Sequence, residues 1–128
     1  MTDLPHGVLA ALVTPFTEAL EPDTKTLIAH GRWLLNHGCN GLVMLATAGE
    51  ANSLSLRQRL GMIEAAGAAG LPLSQMIIGG GSCALDEAVT LTKAIADAGA
   101  YMFAFRLWRP LAYRAAPPSP PVGIQPRR

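Results

Sequence analysis

The chain has 128 residues, half of them hydrophobic and 5% aromatic, with a formal net charge of +1. That is a globular composition whose core must be filled by small aliphatics and alanine, because aromatics are scarce. No apolar run approaches the roughly 18 residues of a membrane span, and no basic region precedes a long apolar stretch and cleavage site, so a soluble, cytoplasmic protein is expected.

Met1 to His6 is a short polar lead. Val8 to Val13 reads as the first strand, apolar on both faces and closed by Pro15, which cannot donate to a ladder. Pro22-Asp23-Thr24 is a helix-start signal with Asp23 as N-cap. Leu27, Ile28, Leu34 and Leu35 recur near the 3.6 period, and Gly38 is placed to stop the helix. Five apolar residues from Leu42 to Ala46, bounded by Gly41 and Thr47, then fit a strand covered on both faces. The strand delivers the loop Thr47-Ala48-Gly49-Glu50 at its C-terminal end. Parallel α/β sheets bind ligands at that end, where the strands stop and the loops supply polar groups, so function is sought near Thr47.

Ser55-Leu56-Arg57-Gln58 is a capping box, and the helix it opens runs to about Ala69, ended by Gly70 and Pro72. Gln75 to Ile78 is a short third strand. After Gly79-Gly80-Gly81-Ser82 a helix runs from about Leu85 to Ala98, its Leu85, Val89, Leu91, Ile95 and Ala96 facing the sheet, with Asp86 and Glu87 in its first turn. A fourth strand is expected from Ala100. Strand and helix thus alternate three times with short connections, the pattern of βα units in a parallel sheet. Cys39 and Cys83 are isolated, without a CxxC pair or a histidine at ligand spacing. Neither a disulfide framework nor a metal site is indicated, and both read as buried small hydrophobes.

Two of these segments, in this order and at this separation, resemble one family. Gly7-Val8-Leu9-Ala10-Ala11-Leu12-Val13-Thr14-Pro15-Phe16 is similar to the first strand and Thr-Pro-Phe ending of the dihydrodipicolinate synthase and N-acetylneuraminate lyase family. Gly41 to Glu50, with Asn52 to Arg59 after it, resembles that family's Gly-Thr-Thr-Gly-Glu segment. The likeness covers roughly the first hundred residues and implies a TIM-barrel aldolase that binds a 2-oxo acid such as pyruvate as a lysine Schiff base, with no cofactor. A complete barrel takes about 250 residues, so the fold class expected is α/β, a partial (β/α)8 barrel of about three βα units plus the start of a fourth. Residues 1–105 are read as that unit and 106–128 as an irregular tail.

By the resemblance, Thr47 is the catalytic threonine whose hydroxyl belongs to the proton relay and lies near the substrate carboxylate; a hydroxyl both donates and accepts, as a relay requires, and the alternative is a strand-end residue bonding its own loop. Ala48 stands where the family holds the carboxylate with a second threonine or serine, and Ala46 where it has a leading glycine. Gly49 and Glu50 match the motif's end. The glycine run at 79–81 invites an anion-cradle reading, but no GxxxxGK[ST] is present and the family has a tight packing turn here. Cys83 replaces an asparagine near the family's regulatory lysine site, which removes support for feedback by lysine. His30 and His37 lie on one side of a coating helix; they read as surface histidines, with a ligand or proton-transfer pair as the alternative.

A Schiff base needs a lysine at the barrel mouth, desolvated or in an electropositive site. Only Lys25 and Lys93 exist; Lys25 is in the first turn of one helix and Lys93 on the polar face of another. The family's lysine comes from the second half of the barrel and its relay tyrosine from the strand before, so this chain alone is expected to be inactive. A half-barrel is also expected to self-associate, in a family that is typically homo-oligomeric.

Charge divides the chain. Up to Phe105 there are five basic and nine acidic side chains, a net −4; beyond it come Arg106, Arg109, Arg114, Arg127 and Arg128 with no acid, a net +5. Six of the ten prolines fall between Pro110 and Pro126. This run is expected to be disordered. Family likeness, acids and periodicity all fade after Gly99-Ala100, which a reading-frame change there would explain. The second function class is a non-enzymatic binding module, in which the half-barrel pairs with another chain and the tail contacts an acidic partner. Trp108 and Tyr113 are its stacking groups, but five arginines without periodic arrangement make a poor nucleic-acid site, and neither nucleic acid nor membrane is expected as a partner.

Overall fold

The structure, a computed structural model, describes residues 4–103. The start of the polar lead, the run 106–128 with its expected disorder, Trp108 and Tyr113 lie outside the described residues. The elements are β1 (Leu9–Ala11), α1 (Thr24–Asn36), β2 (Gly41–Met44), α2 (Leu56–Ala68), β3 (Met76–Gly79), α3 (Leu85–Asp97) and β4 (Tyr101–Phe103), with 3-10 turns at Ala51–Ser53 and Leu73–Gln75. The strands form one sheet in the order β1-β2-β3-β4, every neighbouring pair parallel.

Local signals explain the helix ends. Asp23 caps α1 by accepting from the Thr26 hydroxyl at 2.6 Å and the Thr26 amide at 3.0 Å, and these two bonds hold its carboxyl below the usual carboxylate range. Ser55 and Gln58 form the reciprocal capping box of α2. After α1 and α2 the chain turns at Gly38 and Gly70, whose φ values of 101° and 72° lie in the left-handed region that favours glycine. Arg57 pairs with Glu21 at 2.8 Å on the surface, linking the start of α2 to the loop before α1; such an exposed pair adds little stability.

Burial in the sheet is one-sided. Leu42 and Met76, adjacent in register, and Met44 and Ile78 beside each other one step on, are buried against Leu27, Met62, Ile63, Ala66, Leu91 and Ile95 of the helices. The alternate row, Ala11, Val43, Ile77 and Tyr101, is half-buried or exposed. Strands buried on both faces were expected from the unbroken apolar runs; a run of that kind does not distinguish a helix-covered face from one turned the other way.

Three further expectations are corrected. β1 spans three residues rather than Val8 to Val13; Val8 and Val13 fall outside it and are exposed, beside an edge strand that has one neighbour among the described residues. In α3 the buried positions are Leu91 and Ile95, with Ala88 and Ala94 half-buried, while Leu85, Val89 and Ala96 are exposed. At about 100° per residue, Val89 lies roughly 200° from Leu91 and so faces away from the sheet. Cys39 is half-buried and Cys83 exposed, because each sits in a connection between elements, which runs over the surface. His30 and His37 are exposed as expected. They flank Trp33, whose ring stacks on His37 at 4.2 Å, and His37 Nδ1 donates to the Trp33 carbonyl at 2.6 Å.

Candidate functional site

β2 ends at Met44, and the chain there turns sharply. Leu45 takes φ 56°, a left-handed conformation that costs a residue with a Cβ about 1–2 kcal/mol, yet it is only 2% exposed. Burying a leucine contributes about 1.5–3 kcal/mol, enough to hold that conformation. The next residues close tight turns: the Gly49 amide donates to Ala46 O and the Glu50 amide to Thr47 O, both at 3.1 Å. Glu50 is itself left-handed at φ 52°.

Glycines let the neighbouring backbone close in. A Cβ on Gly49 would sit 3.1 Å from Leu12 O and 3.2 Å from Leu45 N, and one on Gly79 would sit 1.8 Å from Leu45 O. The loop after β2 is thus wedged between the end of β1 and the end of β3. Gly80 is equally close-packed, its amide donating to Phe103 O at 2.9 Å and its missing Cβ occupying a place 2.8 Å from Met102 Sδ. Gly79 and Gly80 therefore serve close packing of the strand end, against the loop after β2 in one case and against Met102 of β4 in the other.

These close approaches leave a cavity of about 470 Å³ at the C-terminal ends of the strands, lined by Leu45, Ala46, Thr47, Glu50 and the turn to Ser53 on one side and by Gly79, Gly81 and Phe103 on the other. The expected site residues divide. Thr47 is exposed and lines the cavity, as does Glu50. Ala48 is exposed and does not line it; Gly49 is buried beneath the loop. Lys25 and Lys93 are exposed on α1 and α3 and take no part in the lining. Among the described residues no three or more histidine, cysteine, aspartate or glutamate side chains converge as metal ligands.

Two residues that the sequence reading passed over hold this site from beneath. Among the described residues the buried polar side chains are Thr14 and Arg59. Thr14 Oγ1 donates to Gly49 O at 2.6 Å, tying the segment after β1 to the loop after β2. Arg59 Nη1 donates to Gly81 O and Nη2 to Gly79 O, both at 2.9 Å. Burial lowers the guanidinium's proton affinity and the Glu87 carboxylate opposes that; an arginine stays charged in proteins all the same. The signal for Arg59 was present: it falls three, four and seven positions before Met62, Ile63 and Ala66, a lone charge on the apolar face of α2. Thr14 belonged to a quoted motif without being assigned a task.

The model of the dihydrodipicolinate synthetase family matches residues 4–105. The chain belongs to that family. The match continues past Ala100, where likeness had been expected to stop. Among curated relatives, the 4-hydroxy-tetrahydrodipicolinate synthase of Agrobacterium fabrum is 36% identical over 94 residues, covering 73% of this chain and 32% of the relative. An uncharacterized DapA-like lyase of Chloroflexus aurantiacus is 35% identical over 96 residues, 74% of this chain and 32% of the relative. Among solved structures, dihydrodipicolinate synthase from Agrobacterium tumefaciens superposes with a TM-score of 0.71 at 29% identity, over 76% of this chain and 34% of that one. The chloride-inhibited dihydrodipicolinate synthase from Acinetobacter baumannii, complexed with pyruvate, gives 0.66 at 32% identity, over 75% and 33%. The chain thus spans about a third of the length of the relatives it matches. Its parallel sheet is the N-terminal part of the family's (β/α)8 barrel, three βα units and the strand of a fourth. No described helix is long and apolar enough to cross a membrane.

Proposed function

We propose that residues 1–105 carry the N-terminal part of a Schiff-base lyase site for a 2-oxo acid such as pyruvate, and that the 128 residues by themselves do not form the imine. The observation that carries this reading is the cavity at the strand ends with Thr47 on its wall in a chain of this family. Thr47 is the hydroxyl that touches the ligand carboxylate and passes a proton, since it can donate and accept at once. Ala48 supplies no second hydroxyl, which weakens the hold on the carboxylate. Gly49 and Glu50 shape the turn. The protein works in the cytoplasm on a small-molecule substrate, and its exposed sheet row, with Val8 and Val13 at one edge, favours self-association. A reading-frame change near Gly99 would account for the arginine- and proline-rich run.

Inactivity follows from the amines. Nucleophilic attack on a keto group needs a lysine in a desolvated pocket, and both lysines here are exposed on helices. Borohydride reduction of the full chain in the presence of pyruvate is expected to leave its mass unchanged; an adduct on Lys25 or Lys93 would refute the claim. Sedimentation of the same sample is expected to show dimers or larger species. A sharp monomer would remove the self-association reading.

A further inference from the structure

We propose that Arg59 is a positioning residue for this site, its guanidinium fixing the Gly79 and Gly81 carbonyls and with them the part of the cavity wall that these glycines form. The starting point is a buried cation, 4% exposed, on the face of α2 that carries Met62, Ile63 and Ala66. Burying such a charge is costly, and hydrogen bonds to its donors offset part of that cost. Among the described residues no carboxylate lies within ion-pair distance of it, and Glu87 is engaged by the Ser82 hydroxyl at 2.7 Å. Its two terminal nitrogens instead each donate at 2.9 Å to carbonyls two residues apart, while Nε is buried with no acceptor. The pose is therefore set by the two carbonyls.

Both carbonyls sit at a strand end: β3 ends at Gly79, the Gly80 amide donates to Phe103 O, and Gly79 O and Gly81 O accept from the two Arg59 terminal nitrogens. Only a planar fork spans both; a lysine ammonium is a point charge. The consequence reaches Thr47 through contact: Gly79 is pressed so close to Leu45 O that no Cβ fits between them, and Leu45 is two residues before Thr47. Shifting Gly79 shifts the base of the Thr47 loop.

The ligand arm of the test rests on the 2-oxo acid reading; the first two arms do not. In the wild-type full chain, nuclear magnetic resonance is expected to show separate, exchange-protected Nη protons for Arg59, and a single averaged signal would overturn the proposal. In Arg59→Lys, amides of residues 45–50 and 79–82 are expected to exchange at least tenfold faster, while those of α1 change less than twofold. Uniform acceleration would reduce Arg59 to a general stabiliser and overturn it. In the third arm pyruvate is titrated into both proteins. Arg59→Lys is expected to weaken the shifts at Ala46 to Glu50 about tenfold in apparent affinity, and equal affinities would also overturn it. Should the wild type show no pyruvate-dependent shifts, the 2-oxo acid reading fails, and the first two arms still decide the role of Arg59.

Discussion

Gly79→Ala is expected to destabilise the chain by on the order of 3–5 kcal/mol or to prevent folding altogether, a cost at the top of the range for single substitutions. The reason is a collision with backbone: the new methyl would lie 1.8 Å from Leu45 O and 2.7 Å from Leu45 C. A side chain can swing aside, whereas Leu45 O belongs to a residue already held left-handed by its burial. Relief would require β3 to move away from the loop, opening the cavity. Gly61→Ala is the control, since nothing lies within 4 Å of its Cβ position and it sits on the exposed side of α2. There alanine is expected to stabilise by about 0.5–1 kcal/mol. Urea midpoints at unchanged m-value measure both; a Gly79→Ala protein as stable as wild type would mean that strand and loop do not approach this closely.

Leu42→Ala is expected to cost on the order of 3–5 kcal/mol, through lost transfer energy and the cavity left behind. Leu42 is fully buried in β2, the strand that delivers Thr47, and its Cδ1 would lie 3.1 Å from a Cβ on Gly31 of α1. That approach couples the two positions. Gly31→Ala alone crowds Leu42, but in the Leu42→Ala background the added methyl enters vacated space and the helix loses a glycine. The double substitution is therefore expected to be less destabilising than the sum of the singles by more than about 0.5 kcal/mol, the limit within which independent sites add. Strict additivity would show that α1 does not rest on β2 through this pair.

Two buried polar side chains brace the loops at the strand ends. Thr14 and Arg59 both spend their hydrogen bonds on carbonyls of loops at the strand ends, Gly49 in one case and Gly79 with Gly81 in the other. A buried donor matched to a loop carbonyl resists displacement, because breaking the bond leaves a desolvated polar group behind. The loop that bears Thr47 is thereby fastened to the segment after β1 directly and packed against a strand end that α2 holds. On the proposed reading, these bonds give a 2-oxo acid a pre-shaped wall.

Much of this was legible in the chain itself. Element type and order, the Asp23 cap, the Ser55–Gln58 box and the glycine stops at 38 and 70 depend on neighbours within about four residues, so the sequence alone determined them. The same local pattern put a strand through Ala46 directly before Thr47, whereas β2 ends at Met44 and Thr47 follows two residues after the left-handed Leu45. The outward face of Val89 and the surface place of Cys83 were legible as well, from helical period and loop position; only the tertiary structure decided the left-handed turn at Leu45 and the tasks of Thr14 and Arg59. Each rests on partners far along the chain, 35 residues for Thr14 with Gly49 and 20 for Arg59 with Gly79. No periodicity within one element records which distant backbone will be pressed against it, and burial is settled by that contact.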